Sequence, residues 1–282
     1  MNGRLAEGFY DDVFFRTPCR LDHAVVRFKG NDMSLRSSSS GLLRTLLRRS
    51  GREIVPYVDD HFPILHRSHL MADHGINVVL DVGANTGQTG EELRENGYTG
   101  KIISFEPLGE PFGELSRKAA GDGQWQAKQC AVGDTQGQIT INVSGTHCSS
   151  SILPMNDRHV SMVPASAYVG TERVSICRID DLFGENVSQG DKVLLKVDTQ
   201  GYETAVIRGA AASLPKISLV TLELSFVPLY QSQPKYFEVM QLMDGAGFDM
   251  VGIAPMFMEK KTRHFLQADA MFVRRDSAKN TR

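Results

Sequence analysis

The stretch Val78-Val-Leu-Asp-Val-Gly-Ala-Asn-Thr-Gly-Gln88 runs from an apolar segment into a glycine turn and then into helix-forming residues. Strand–turn–helix junctions of this kind bind nucleotide cofactors, because the turn and the helix N-terminus present free backbone N–H groups. The detail decides which cofactor. A dinucleotide fingerprint reads G-x-G-x-x-G, whereas this chain has Asp81-x-Gly83-x-x-x-Gly87. A carboxylate in place of the first glycine would repel a pyrophosphate. It suits a cationic ligand, such as the α-amino group and sulfonium end of S-adenosylmethionine. Gly83 lets the backbone approach the cofactor and Gly87 opens the helix without a side-chain clash, with Asn85 and Thr86 filling the turn between them. The phosphate-loop pattern G-x-x-x-x-G-K-[ST] is absent, so ATP and GTP chemistry loses support. The next apolar run ends Ser104-Phe-Glu-Pro107, and a carboxylate at that strand tip, Glu106, can accept both ribose hydroxyl protons. A third run ends Ala131-Val-Gly-Asp134. Carbonyls there or Asp134 receive the adenine amino group, or the Gly-Asp pair only makes a turn.

These residues need elements to hold them. Ile76–Leu80, Lys101–Phe105, Trp125–Val132, Lys192–Val197 and Ile217–Leu224 read as strands, and Gln88–Asn96, Pro111–Ala120 and Thr204–Gly209 as helical segments between them. Strands alternating with helices make parallel βαβ units, and strands apolar on both faces are those covered on both sides. Tyr236, Phe237, Met240 and Met243 predict a helix ending at Gly245 or Gly247, followed by Phe248–Ile253 and Phe265–Val273 with no helix between them, hence an antiparallel pair. The expected fold is α/β and Rossmann-like, mostly parallel, with an antiparallel C-terminal hairpin. Residues 133–192 exceed a plain crossover. Ile139–Val143 and Val174–Ile179 alternate and predict an added hairpin, with a long loop, His147–Gly170, over the cleft. The expected organisation is an extension at 1–40 with a serine run, a helical lead-in at 41–75, a cofactor-binding domain at 76–275 and a tail at 276–282. Within the lead-in, Gly41–Ser50 forms a basic amphipathic helix that packs on its own domain or touches an anionic membrane surface.

The chain resembles the FkbM family of S-adenosylmethionine-dependent methyltransferases. The matching stretches are Val79–Gln88, Ser104–Pro107, Cys148-Ser-Ser-Ser-Ile-Leu-Pro154, Leu195-Lys-Val-Asp-Thr-Gln-Gly-Tyr-Glu203, Leu222-Glu-Leu-Ser-Phe-Val-Pro-Leu-Tyr230, Gly247–Gly252 and Leu266–Val273. The resemblance spans residues 42–275. It implies a seven-stranded methyltransferase sheet and O-methylation of a sugar, glycolipid or polyketide-type hydroxyl. Methylation of protein or of another small molecule, and a nicotinamide-dependent oxidoreductase, are the rival readings. Asp81 argues against the last of these.

Ligands in open α/β sheets lie beyond the carboxyl ends of the strands, where Asp81, Glu106, Asp198 and Glu223 all fall. An alcohol is a poor nucleophile at neutral pH, so methyl transfer to it needs a base or a metal. Asp198 and Glu223 are base candidates, and His147 and His159 are the others. A paired Asp198–Glu223 site could instead hold a divalent cation such as Mg²⁺. Against these stand plainer readings: Asp198 caps the Thr199–Gly201 turn, the two histidines are exposed loop residues, and Glu203 only opens the next helix. Ser149, Ser150 and Ser151 line the cofactor or acceptor, or form a flexible loop. Phe226, Tyr230, Met256 and Phe257 wall the acceptor pocket, or are core.

With 31 Lys+Arg against 33 Asp+Glu the net charge is −2, which speaks against a nucleic-acid partner. The expected partner is a small-molecule, glycan or glycolipid acceptor, with at most peripheral membrane contact; an oligomer stays open. No apolar run reaches the ~20 residues that span a bilayer, and the N-terminus lacks a basic-then-apolar leader, so a cytoplasmic location is expected. Cys19, Cys130, Cys148 and Cys177 form no CxxC and suit reduced thiols. His66, His69 and His74 cluster, but no carboxylate or thiol completes a tetrahedral metal set nearby.

Overall fold

A computed structural model describes residues 63–259 and 261–275. The proposed helix at 41–50, the serine run and the tail at 276–282 lie outside the described residues.

The order is α1 (Pro63–Asp73), β1 (Val78–Val82), α2 (Gln88–Glu95), β2 (Lys101–Phe105), α3 (Gly109–Ala120), β3 (Trp125–Lys128), β4 (Ala131–Val132) and β5 (Gly137–Ser144). It continues with α4 (Asp157–Met162), β6 (Tyr168–Cys177), α5 (Ile179–Asn186), β7 (Val193–Val197), α6 (Glu203–Arg208), β8 (Ile217–Ser225), α7 (Tyr236–Gly245), β9 (Phe248–Met258) and β10 (Phe265–Arg274). One sheet has seven strands in the order β3-β2-β1-β7-β8-β10-β9. Its first five strands run parallel, and β10 is antiparallel to both β8 and β9. This is the expected Rossmann-like α/β sheet with an antiparallel C-terminal hairpin. The strand order reverses at the β1–β7 boundary, so the ends of β1, β2 and β7 meet at a topological switch point.

Strand alternation sorts the core into two faces. Leu80, Ile103, Leu195 and Val197 point to the side covered by Ile179 and Phe183 of α5, Val206 and Ile207 of α6, and Val239 and Met243 of α7. Val79, Ile102 and Leu194 point to the other side, against Met71 of α1, Leu93 of α2, and Leu115 and Ala119 of α3. All five residues of β1 are buried, as a strand covered by helices on both faces requires.

The stretch read as one strand, Trp125–Val132, divides. Lys128 accepts a hydrogen bond from the Cys130 N–H, which bends the chain out of the large sheet, and Ala131 and Val132 pair instead with Ile176 and Cys177 of β6. The added hairpin is therefore a three-stranded sheet, β4-β6-β5. The stretch 147–170 is tied down as well. It carries α4, and bridges join Asn142 to Ser151 and Met155 to Tyr230. Among the described residues no helix is long and apolar enough to cross a membrane.

Candidate active site

A cavity opens at the switch point. Its walls come from the turn after β1, the end of β2, the β3–β4 turn, the 147–152 segment and the end of β7. Gly83, Asn85, Glu106, Pro107, His147, Ser150, Ser151 and Asp198 all line it, so eight of the site candidates singled out in the sequence converge on one place. Asp81, Thr86, Gly87, Asp134 and Glu223 do not form its lining.

Glu106 is the best-framed of these groups. Its Oε2 accepts from the Asn85 N–H at 2.9 Å and its Oε1 from the Leu108 N–H at 2.9 Å. Only 5% of the residue is exposed, and burial pushes its pKa up to about 7 despite the two backbone donors and nearby Lys196. Each oxygen keeps a lone pair for a diol in the cavity.

Asp81 has a different role from the one its position predicts. It is fully buried beneath the glycine turn. Its Oδ2 accepts from the Ser104 hydroxyl at 3.0 Å, which in turn accepts from the Trp125 indole N–H at 3.0 Å. Its Oδ1 lies 3.3 Å from Lys196 Nζ. Gly83 also differs from expectation: the close approach it permits is to protein, because a Cβ there would meet the Asp198 carbonyl oxygen at 1.8 Å. Asp134 pairs with Arg208 at 3.3 Å, away from the cavity, which leaves Ala131 and Val132 to form that wall.

The end of β7 is organised by residues the sequence reading passed over. Lys196 Nζ donates to the Gly83 carbonyl at 3.2 Å and stands 3.7 Å from Asp198 Oδ2. Burial acts to lower its pKa, but Asp81 and Asp198 outweigh it and hold the group above the ordinary lysine value. The signal was there: a lysine inside an apolar strand, two residues before Asp198, must have carboxylate partners. The second is Gln200, held at φ 52. Its amide donates to Asp198 Oδ1 at 2.7 Å and to Glu223 Oε2 at 3.5 Å, and its carbonyl accepts from the Tyr230 hydroxyl at 2.9 Å. Gln267 of β10 donates to the same Glu223 oxygen at 2.5 Å.

The plainer reading of Asp198, as a turn cap, does not hold. Glu203 does that work: its Oε1 accepts from the Thr199 N–H at 3.1 Å, the Thr199 hydroxyl at 3.3 Å and the Gly201 N–H at 3.0 Å. Burial is the main cause that raises the Glu203 pKa to about 7. Asp198 is left facing the cavity with its side chain 25% exposed. Glu223 sits behind Gln200, enclosed by protein although part of its surface stays open to solvent. Burial, then the charges of Asp198, Glu203 and Asp269, lift its pKa well above the usual carboxylate range. A proton on Oε1 leaves Oε2 free to accept from both glutamine amides.

The Gln200 amide donates into the gap between Asp198 and Glu223, where a shared cation would have to sit. Among the described residues no group of three His, Cys, Asp or Glu side chains gathers to hold a metal.

The histidines separate. His147 lines the cavity, and its Nε2 lies 3.3 Å from a carboxylate oxygen of Glu110 of α3. His159 is not an exposed loop residue: it is 5% exposed, edge-on to Tyr230 at 5.5 Å, and burial lowers its pKa to about 4. Tyr230 is core, packed with Leu229 and Leu266, and Phe257 lies against that cluster. Phe226 packs on Tyr236 at 5.5 Å. The serine segment is fastened: Ser150 Oγ accepts from the Ser144 N–H at 3.0 Å, Ser151 Oγ donates to the Gln200 carbonyl at 2.7 Å, and the Ser149 carbonyl accepts from Tyr230 at 3.1 Å. Cys148 is disulfide-bonded, against the expectation of four reduced thiols.

Comparison with known proteins adds three likenesses. The 2-O-methyltransferase NoeI of Sinorhizobium fredii is 23% identical over 188 residues, 64% of this chain and 76% of that protein. Among solved structures, the magnesium protoporphyrin IX methyltransferase ChlM of Synechocystis PCC 6803, crystallised with bound SAM, is 13% identical with a TM-score of 0.41, over 84% of this chain and 92% of that one. Fibrillarin of Aeropyrum pernix, with natively bound S-adenosyl-L-methionine, is 9% identical with a TM-score of 0.41, over 73% and 74%. The model of the methyltransferase FkbM domain matches residues 81–250, a span that runs from Asp81 through Glu106, Asp198 and Glu223. By that match the chain belongs to the FkbM methyltransferase family.

Proposed function

We propose that this protein transfers a methyl group from S-adenosylmethionine to a hydroxyl of a sugar, glycolipid or polyketide-type acceptor. The observation that carries the reading is the pairing, in one cavity, of Glu106 with an Asp198 released from turn capping by Glu203. The residues fit the cofactor. Glu106 has lone pairs left for a ribose diol, and Ala131, Val132 and Ile141 offer an apolar slot for adenine. Asp81 acts beneath the floor, holding Lys196 and Ser104. The NoeI likeness supports oxygen as the acceptor atom.

The bound cofactor supplies an activated methyl group and its own leaving group. The protein must orient the acceptor and remove its proton. Orientation alone is worth about 7–11 kcal/mol in favourable cases. Glu223 is biased toward its protonated form, and His159 has its pKa near 4 and is sealed against Tyr230. Asp198, on the cavity wall, takes the proton. Gln200 fixes one of its oxygens and leaves the other to the acceptor, while Lys196 stabilises its charge from below.

The test is calorimetric titration with S-adenosylmethionine, its demethylated product and NAD, followed by radiolabelled methyl transfer to sugar, glycolipid and protein fractions. Binding of the first two, with label in a hydroxyl-bearing small molecule or glycolipid, is expected. Binding of NAD alone, or label only in protein, overturns the reading.

A further inference from the structure

The two free thiols meet outside the chemistry described above. Cys130 lies in the β3–β4 turn, and Cys177 ends β6. Their sulfurs stand 2.9 Å apart although the residues are 47 positions apart in the chain. Both are partly exposed and both are free. Cys130 also lines the cofactor cavity. A disulfide bond needs ~2.05 Å, so closing it asks for less than 1 Å of movement, within reach of side-chain rotation. The bond would join the edge of the seven-stranded sheet to the small sheet at the point where the chain leaves one for the other.

We infer that Cys130 and Cys177 form a reversible intrachain disulfide at the cavity wall. The two thiols differ in readiness. The hydrogen bond from Cys177 and, after it, the charge of Lys128 ease proton loss from Cys130, while burial opposes it. Cys177 is held in its thiol form, chiefly by the bond to Cys130 and then by burial. A small-molecule disulfide is the oxidant. The Cys130 thiolate attacks one of its sulfurs and expels the other as a thiolate, giving a mixed disulfide. Cys177 then loses its proton to solvent, attacks Cys130 Sγ and expels the second thiolate. Two protein thiols are oxidised, one small-molecule disulfide is reduced to two thiols, and the leaving thiolates take up the protons released. The cross-link restricts the unfolded chain over a 47-residue separation, so it raises the unfolding temperature. None of this depends on the cofactor's identity.

The test is to treat the full chain with oxidised glutathione, quench by alkylation, and map peptides by mass spectrometry. Expected are a peptide linking Cys130 to Cys177, a loss of two hydrogens from the intact mass, reversal of that link by dithiothreitol, and a Tm several degrees above that of the untreated protein, in which Cys130 and Cys177 are free. Cys177→Ser should stop at a glutathione adduct on Cys130, and Cys130→Ser should form no link. Alkylation of both cysteines after exhaustive oxidation, a cross-link between chains only, or a lower Tm in the linked form overturns the inference.

Discussion

A Cβ on Gly83 would stand 1.8 Å from the carbonyl oxygen of Asp198. The same two strand ends are joined by the Asp198 N–H donating to the Val82 carbonyl at 3.0 Å. The glycine turn and the candidate base are thus one rigid unit, and Gly83, at φ +75, is the residue that lets them close. Gly83→Ala meets two penalties. A left-handed conformation costs alanine about 1–2 kcal/mol, and the overlap is with backbone, which cannot rotate aside. We expect a lower Tm by thermal unfolding, with cofactor affinity and turnover falling together. A wild-type Tm with only binding lost would mean that the turn moves independently of β7.

Glu106 should make cofactor affinity depend on pH if it holds the ribose as proposed. Its pKa in the free protein is about 7, raised by burial. The hydroxyls of a ribose need an acceptor, so binding selects the ionised form and releases a proton when the group starts protonated. Affinity therefore rises with pH up to about 7 and then levels, with a slope below that of up to about tenfold per pH unit. Glu106→Gln should flatten the profile and weaken binding. Calorimetry in buffers of different ionisation enthalpy measures the proton release directly. No release near pH 6 in the wild type would remove Glu106 from the site.

Glu203 predicts a stability effect of definite sign. Its folded pKa of about 7 lies above the ordinary 4.5. The folded state therefore holds more protons than the unfolded state between those values. Glu203's contribution to stability falls as pH rises through that window, by roughly 3 kcal/mol in all. Glu203→Gln keeps an acceptor for the Thr199 and Gly201 N–H groups and should lose less stability than the wild type between pH 5 and 7. Glu203→Ala orphans those donors and should cost about 1–3 kcal/mol. Urea melts of the three proteins across that range decide it. Parallel profiles for wild type and Glu203→Gln would show that Glu203 is ionised throughout.

What was legible in the sequence was local. The strand–turn–helix at residues 78–88 and the carboxylates at the strand tips, Glu106 and Asp198, announce themselves because each motif is read within one element and its turn. What escaped was assembled across the chain. Lys196 finds Asp81 only because β7 pairs with β1. Gln267 reaches Glu223 only because β10 inserts beside β8. The exchange of roles between Asp198 and Glu203 is a matter of which carboxylate points into the turn, and both are compatible with the same spacing. The break at Lys128 was hidden because residues 125–132 form a single run, while the two halves of that run pair with different sheets.

Asp198 carries the chemistry in this reading, and Asp198→Asn isolates it. The side chain is isosteric, and its amide oxygen can still accept from Gln200, as Asp198 Oδ1 does at 2.7 Å. Lys196 retains Asp81 at 3.3 Å as its partner, so no buried charge is stranded. The fold should survive and cofactor affinity should change little. The amide cannot take the acceptor's proton, and loss of a general base costs about 10²–10⁴ in rate. We expect kcat to fall by that amount with KM for the cofactor near the wild-type value. Gln200→Ala should show an intermediate loss, because the Asp198 carboxylate stays in place and loses the amide that orients it. A chelator separates base from metal. With the Gln200 amide donating between Asp198 and Glu223, activity of the wild type should be indifferent to EDTA. Activity lost to EDTA and restored by Mg²⁺ or Mn²⁺ would assign Asp198 to a cation instead. Wild-type turnover in Asp198→Asn would leave Asp198 as a wall of the cavity and move the base to Glu223, the next carboxylate along the same hydrogen-bonded chain.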